Sequence, residues 1–259
     1  MSPSMPAAVC ILALLAASGC GDLARDNALD PKNPDSSRPL TVLLEAFVNT
    51  GAPAPEYNRF MLQALDSLES LYADRIEVVH YHRNAGSVQD PHHLIENEIL
   101  YDRYVGAMHS GVKGVPDVFI NGTTARVQGA SSVETAFRRL QEALLGVLSR
   151  SSPWTMEAGY SLDDGKIVPE VVLARLGREE ATDIRVRAVL TSRLNEPLAG
   201  HVVKGSSQGA VIDRLEAGES LTLRLPEIPL NGTTNAELTL CVTDRDGLHV
   251  EQSQSMPIR

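Results

Sequence analysis

The sequence is poor in aromatic residues and in positive charge. Of its 259 residues one is Trp and four are Phe, so the hydrophobic cores must be built mainly from Leu, Val, Ile and Ala. The 23 basic residues are outnumbered by 33 acidic ones, which gives a net charge of -10. Because binding to a phosphate backbone needs clustered Lys and Arg, this balance argues against a nucleic-acid partner. The length and the 43% hydrophobic content favour two domains.

Cysteine is too scarce for a disulfide in the folded part. An apolar run over residues 7–18 has the length of a signal-peptide core, is too short to span a bilayer, and contains Cys10. It ends in ASGC, residues 17–20, which resembles the lipobox of bacterial lipoproteins and implies that Cys20 becomes the lipidated first residue. Cys241 then remains alone. It lies in an alternating strand pattern, which predicts a small buried hydrophobe.

The N-terminal segments predict an anchored envelope protein. Residues 1–19 are a predicted lipoprotein signal peptide, and an ordinary cleaved signal peptide is the alternative. Residues 20–39 are polar, rich in Pro, Asp and Asn, and without periodicity, which predicts a flexible tether. Gly21 follows the cysteine in place of the Asp of an inner-membrane retention signal. We therefore expect a lipid anchor in the outer membrane of a bacterial cell.

Histidines offer one possible metal site. His80 and His82 lie two apart on a predicted strand, hence on one face, and His92 and His93 follow. No third ligand is fixed by spacing, so the alternative is a polar strand end. We expect no metal and no cofactor, and no Ser/His/Asp triad.

Residues 40–150 alternate between strand and helix patterns. The near-continuous apolar run of residues 40–47 indicates a strand that is covered on both faces. Residues 76–82 predict a second strand, and residues 115–129 predict a hairpin that turns at Asn121-Gly122. Helices are predicted over residues 55–73, 91–109 and 131–149, the last with a capping box of Ser131 and Glu134. This order predicts a compact α/β sandwich.

The order and two of its segments resemble thioredoxin-like proteins. The first strand, the Thr50-Gly51 pair and the following helix are similar to the redox turn of that family, which implies that Ala52 and Pro55 stand where its two cysteines lie. GVPDVFING, residues 114–122, is similar to the segment that carries a cis-proline facing this turn, and the resemblance implies that role for Pro116.

The resemblance does not imply the redox chemistry of that family for this sequence. Neither Ala52 nor Pro55 can attack a disulfide or resolve one, so no catalytic residue is expected at the turn. The groove between the turn and Pro116 is expected either to bind extended peptide or to be vestigial.

The hydrophobic pattern of the sequence changes after residue 150. Residues 166–176, 183–192, 220–228, 236–244 and 248–258 alternate at period two between turn signals, which predicts an immunoglobulin-like β-sandwich over residues 154–259. The predicted fold class is therefore an α/β thioredoxin-like domain followed by an all-β immunoglobulin-like sandwich.

The combination resembles a family of bacterial outer-membrane-associated lipoproteins that carry a thioredoxin-like fold. The segments GVPDVFING, HVVKGSSQG and LCVTDRDGLHVEQS carry the resemblance. Members commonly hold Cys-x-x-Cys at the turn, and this sequence departs from them there. The resemblance implies a redox-inactive binding or scaffold module, held on the membrane through Cys20, with an envelope protein or peptide as partner. The alternatives are a thiol-disulfide oxidoreductase-related protein and an envelope metal-binding protein.

Overall fold

A computed structural model describes residues 26–30, 32–33, 36–51, 56–109, 111–194 and 200–259. The predicted signal peptide, Cys20 and the turn positions Ala52 and Pro55 lie outside these ranges. Within them, none of the helices combines the length and apolar character needed to span a bilayer.

The described residues form three helices and fifteen strands. The helices are α1 (Glu56–Leu71), α2 (Ile95–Ala107) and α3 (Val133–Leu148). The strands are β1 (Arg38–Pro39), β2 (Val42–Val48), β3 (Ile76–His82), β4 (Asp117–Ile120), β5 (Ala125–Gln128), β6 (Ser151–Ser152), β7 (Trp154–Asp163), β8 (Lys166–Arg175), β9 (Ala181–Arg193), β10 (His201–Gln208), β11 (Ile212–Leu215), β12 (Ser220–Arg224), β13 (Ile228–Pro229), β14 (Ala236–Asp244) and β15 (Val250–Pro257).

One large sheet runs through both halves of the chain. Its nine strands follow the order β15-β14-β9-β10-β3-β2-β4-β5, and β11 pairs with β9 outside this path. β2 and β3 are parallel, as expected for strands joined by a crossover helix. A second sheet of four strands, in which β7, β12 and β13 all pair with β8, covers part of the large one.

The predicted fold class, an α/β thioredoxin-like domain followed by an all-β immunoglobulin-like sandwich, is wrong. The described chain is mostly β, with three helices, and the strands of its second half extend the sheet that β2–β5 begin. The connection is made by β10, which lies parallel to β3 and pairs at Val202↔His80. Periodicity predicts single strands but does not predict which sheet edges join. The division at residue 150 stays a prediction.

Three hydrophobic cores follow from this arrangement. The first lies between one face of the helical half's strands and the pair α1 and α3. The second lies between β9 and β14 of the large sheet and the four-stranded sheet, and contains Trp154. The third is shared by the two halves, because α2 and residues of β2–β4 pack there against residues of β9, β10, β14 and β15. We call this third cluster the junction core.

The sheet curls around the junction core until its distant parts meet. Gly122, after β4, forms an antiparallel bridge with His249, just before β15. A Cβ on Gly122 would lie 2.0 Å from the carbonyl oxygen of Leu248, and its φ is +62°, so this contact requires glycine. The backbone nitrogen of Thr41 also donates to Oε1 of Gln252 at 2.8 Å.

Several local predictions need correction by a few residues. Arg38 and Pro39, assigned to the tether, pair as β1 with β6. The hairpin of β4 and β5 is present, but four residues rather than two lie between the strands. The cap of α3 is Ser132, whose side chain accepts from the backbone nitrogen of Thr135, one position after the predicted cap Ser131.

Candidate functional site

The predicted site lies at the carboxyl end of β2. β2 pairs antiparallel with β4 as far as Phe47↔Asp117, so Pro116 follows opposite Val48. The Val115–Pro116 peptide bond is cis, the isomer expected for Pro116. Because Ala52 and Pro55 lie outside the described residues, their position relative to Pro116 stays a prediction.

A buried hydrogen-bond network fixes the chain directly after β2. The carboxylate of Asp90 accepts from the backbone nitrogen of Thr50 at 2.6 Å and from that of His92 at 2.8 Å. Nδ1 of His82 lies 3.1 Å from each oxygen of the same carboxylate. Burial would raise the pKa of Asp90, but the hydrogen bonds from His82, Thr50 and His92 outweigh it and hold this pKa below its ordinary value. Asp90 therefore clamps the loop before α2 to the end of β2.

The same network does not have the geometry of a catalytic triad. The hydroxyl of Thr50 lies 3.3 Å from Nδ1 of His82, the nitrogen that also contacts Asp90. A triad uses one ring nitrogen for the nucleophile and the other for the carboxylate. A single nitrogen cannot take both roles, so Thr50 and His82 act here as structural partners of Asp90.

The neighbouring residues add to this clamp. The side-chain nitrogen of Asn49 donates to the carbonyl oxygens of Arg83 at 2.8 Å and Val88 at 3.1 Å. A Cβ on Gly51 would lie 1.9 Å from the carbonyl oxygen of Gln89, so only glycine permits this approach. The loop after β3 is thereby packed against the residues that lead into the turn.

A second buried network lies beside Pro116. Asp117 is fully buried, accepts from Nε of Arg126 at 2.9 Å and from the hydroxyl of Tyr101 at 2.8 Å. Burial raises the pKa of Asp117, although the bonds from Arg126 and Tyr101 oppose the shift. No local sequence pattern marks these three residues as partners, because they lie nine and sixteen positions apart. The network joins α2 to the hairpin and uses its polar groups internally.

The two histidines proposed for a metal belong to different clusters. His82 contacts Asp90, whereas the ring of His80 lies 6.3 Å from that of His201. His201 in turn contacts Glu69 at 3.1 Å and Glu237 at 3.3 Å, and these carboxylates raise its pKa to about 9. Across the described ranges, no group of three or more His, Cys, Asp or Glu side chains is arranged to hold a metal ion.

Cys241 has the buried position that the strand pattern predicted. Its side chain is fully buried in the junction core, and Sγ lies 3.7 Å from the carbonyl oxygen of Arg187. Burial raises the pKa of its thiol above the ordinary value. A buried thiol held in its protonated form is a poor nucleophile.

One Gly-x-Ser-x-Gly pattern, GSSQG at residues 205–209, was missed in the sequence. In hydrolases this pattern places serine on a sharp turn between a strand and a helix. Ser207 instead lies within β10, and its Oγ is buried without a hydrogen-bond partner among the described residues. The pattern therefore does not form a nucleophile elbow here.

The most strongly buried charges connect the two halves. Glu45 of β2 is fully buried, and its Oε1 lies 2.6 Å from Nη2 of Arg187 on β9. The hydroxyls of Tyr81 and Tyr104 donate to the same carboxylate at 3.1 and 2.6 Å. Burial would lower the pKa of Arg187, but Glu45 and its neighbours raise it well above the ordinary value. Every polar atom of this carboxylate is used to hold the junction together.

The comparisons identify similar folds only. No protein-family model matches the sequence, and no curated protein does. Among solved structures, HBP35 of Porphyromonas gingivalis is similar with a TM-score of 0.60 at 13% identity, over 86% of this chain and 76% of that one. Protein AGR_C_4864 of Agrobacterium tumefaciens is similar with a TM-score of 0.53 at 16% identity, over 84% of this chain and 94% of that one. Both similarities extend over residues of both halves of this chain and are similarities of fold.

Proposed function

We propose that this protein is a lipid-anchored, non-catalytic binding or scaffold protein of the bacterial cell envelope. Cys20 provides the lipid anchor, and the outer membrane is the proposed location. The partner is an envelope protein or peptide, and the acidic balance of the chain argues against nucleic acid.

One observation supports the proposal that the protein is not a catalyst: the polar groups at the end of β2 are bonded within the protein. Thr50, His82 and Asp90 form hydrogen bonds with one another and with the backbone of the loop. The side chains of Thr50 and Asp90 both contact Nδ1 of His82. Because these groups bond to one another and to backbone, they support a structural role at the end of β2. The buried, protonated thiol of Cys241 points the same way.

An insulin-reduction assay tests the absence of redox catalysis. The purified protein and its Cys241→Ser variant are compared with buffer in the presence of dithiothreitol. Both are expected to leave the rate of insulin reduction at the buffer level. Turnover that is above buffer and survives in Cys241→Ser would contradict the non-catalytic proposal.

Metabolic labelling with an alkyne fatty acid tests the anchor. We expect the label on the wild-type protein and on Cys10→Ser, since Cys10 lies in the segment to be removed. Cys20→Ser should lose the label and leave the membrane fraction. Equal labelling of Cys20→Ser, or wild-type protein recovered unlabelled from the soluble fraction, would overturn the anchor.

A further inference from the structure

β10 continues beyond the end of its neighbour β3. The two strands are parallel and pair at Val202↔His80. β3 ends two residues later at His82, whereas β10 extends to Gln208. On the other side, β10 is paired with β9 as far as Gln208↔Arg187. In the described chain, the last residues of β10 therefore have a strand partner on one side only.

The open side of β10 borders a groove whose other wall is α2. Two cavities of about 230 and 260 Å³ lie there, and both are lined by Glu96, Asn97 and Ser206, so they form one continuous depression. The side chain of Asn97 donates to the carbonyl oxygen of His82 at 2.8 Å, which fixes α2 against the end of β3. We call this depression the α2–β10 groove.

The α2–β10 groove has the length of a short strand. The β10 residues from Val203 to Gln208 all line one or other of the two cavities. Six residues of a strand span about 20 Å at the usual rise. Apolar side chains lie along the opposite wall and at one end, contributed by Leu94, Leu100 and Ile228. On the rim, the side chain of Ile99 is 56% exposed.

Two buried polar atoms of residues that line this groove lack partners. Oγ of Ser207 and Nε of Arg187 are buried and form no hydrogen bond with the described residues. Both residues line the first cavity, and the Arg187 side chain is only 8% exposed. A buried polar atom without a partner costs about 1–3 kcal/mol. A polar occupant of the groove would bring partners to this wall.

The charge of the groove is opposite to that of the whole protein. Lys204 lines one cavity and Arg103 the other, and neither forms an ion pair with another described residue. Arg103 donates to the backbone oxygen of Asp246, an acceptor that carries no formal charge. Glu96 is the one acidic residue among the residues that line the two cavities. In a chain with a net charge of -10, two cations that have no ion-pair partner among the described residues favour an acidic occupant of the groove.

We propose that the α2–β10 groove binds an extended acidic peptide segment of another envelope protein, which adds to β10 as a further strand. Its backbone pairs with amide and carbonyl groups on the side of β10 that has no strand partner among the described residues, in the way that edge strands accept peptides. Every second side chain packs on Leu94, Leu100 and Ile228, and its carboxylates pair with Lys204 and Arg103. The groove's length and open backbone favour a peptide over a small anion. This inference rests on the proposed binding function and supplies its site and partner class.

Peptide binding to the full chain in detergent micelles tests the proposal. The probe is a fluorescent hexapeptide of alternating valine and glutamate. It is compared with alternating valine and lysine, and with a valine–glutamate peptide in which every second backbone nitrogen is methylated. Fluorescence anisotropy gives the dissociation constant, and hydrogen–deuterium exchange followed by mass spectrometry locates the protected backbone.

We expect the valine–glutamate peptide to bind and to protect residues 203–208 from exchange. The valine–lysine peptide should bind at least about tenfold more weakly, because it opposes Lys204 and Arg103. The methylated peptide should lose the protection, because it lacks the donors of a strand pair. The variant Arg103→Glu/Lys204→Glu should weaken binding at least about tenfold. The control Arg150→Glu/Arg178→Glu makes the same charge change at exposed positions that line neither cavity and should leave binding unchanged.

Several results would overturn the proposal. They are absence of binding at millimolar peptide, equal binding of the lysine peptide, and protection elsewhere in the chain. Glutarate that displaces the peptide completely at equal concentration would identify a small-anion site instead. Binding that appears only in a chain beginning at residue 26 would mean that the chain's own N-terminal segment occupies the groove. None of these results depends on the insulin or labelling assays, so failure of the groove is distinguishable from failure of the proposed function.

Discussion

The junction core and the end of β2 both bury a carboxylate. The partners of the two carboxylates differ in how far away they lie in the sequence. Glu45 is held by side chains from three other elements, and its guanidinium partner Arg187 lies 142 residues away. Asp90 is held by His82 and by the backbone of nearby loops. The first arrangement joins two halves of the chain into one sheet, and the second fixes a local surface. We therefore expect the loss of Glu45 or Arg187 to destabilise the whole fold, and the loss of Asp90 to destabilise only the loops near the end of β2.

The largest expected effect comes from breaking the junction pair. Arg187→Met leaves the charge of Glu45 buried without its partner and should lower the free energy of unfolding by about 3–5 kcal/mol. Denaturant unfolding measures this. Arg138→Met, which breaks the exposed pair with Glu142, should cost no more than about 0.5 kcal/mol.

The double variant Glu45→Met/Arg187→Met sharpens this test. It removes both charges and should recover much of the lost stability, since an apolar replacement of a buried pair is often neutral. A cost below about 1 kcal/mol for Arg187→Met alone would mean that the junction does not depend on this pair.

Breaking the clamp at the end of β2 should have a smaller and local effect. Asp90→Ala removes the acceptor of the half-buried backbone nitrogens of Thr50 and His92 and should cost about 2 kcal/mol. Hydrogen exchange should rise in residues 83–92 and remain unchanged in β9. Asp102→Ala, which removes an exposed carboxylate paired with Lys113, is the control and should stay within about 0.5 kcal/mol. Faster exchange in β9 as well would show that the two regions are coupled.

His201 forms a second, less buried connection between the halves. Its pKa is raised to about 9 by Glu237 of β14 and Glu69 of α1, so the protonated form stabilises the fold. The contribution is complete below the unfolded pKa near 6.5 and is lost as pH rises through about 9. Between these values the free energy of unfolding should fall by on the order of 2 kcal/mol.

Variants of this cluster identify the group responsible for that fall. His201→Gln should flatten the curve of stability against pH in this range. Glu237→Gln removes one of two carboxylates and should reduce the fall only in part. A fall of undiminished size in His201→Gln would assign it to another group.

The sequence predicted single elements well where their periodicity was strong. β3 and β14 lie at their predicted bounds, and the three helices lie within four residues of theirs. β10 was missed as a strand because only Val202 and Val203 are apolar before a polar stretch that includes Gly205. That omission decided the error in fold class, since β10 is the strand that joins the two halves.

The candidate site was predictable only in part, because local sequence patterns do not encode contacts between distant residues. The cis bond at Pro116 followed from a resemblance carried by a contiguous segment. Asp90, by contrast, lies 40 residues from Thr50, and nothing local marks it as the partner of that backbone. Arg187 alternates with apolar residues in β9, a pattern typical of a solvent-facing side chain. It is buried because the far face of its sheet is covered by α2, a contact that no local pattern encodes.

The smallest expected effect separates the observed helix cap from the predicted one. Ser132 accepts from the backbone nitrogen of Thr135 at 3.1 Å, so Ser132→Ala should cost about 1 kcal/mol. Ser131→Ala, at the position that the capping-box pattern predicted, should change the free energy of unfolding by less than about 0.5 kcal/mol, because Ser131 is exposed. The two serines are adjacent, and both variants have the same amino-acid composition. The difference between their free energies of unfolding, measured with denaturant, therefore reports the contribution of the cap. A larger loss at Ser131 would place the start of α3 one residue earlier and restore the prediction from sequence.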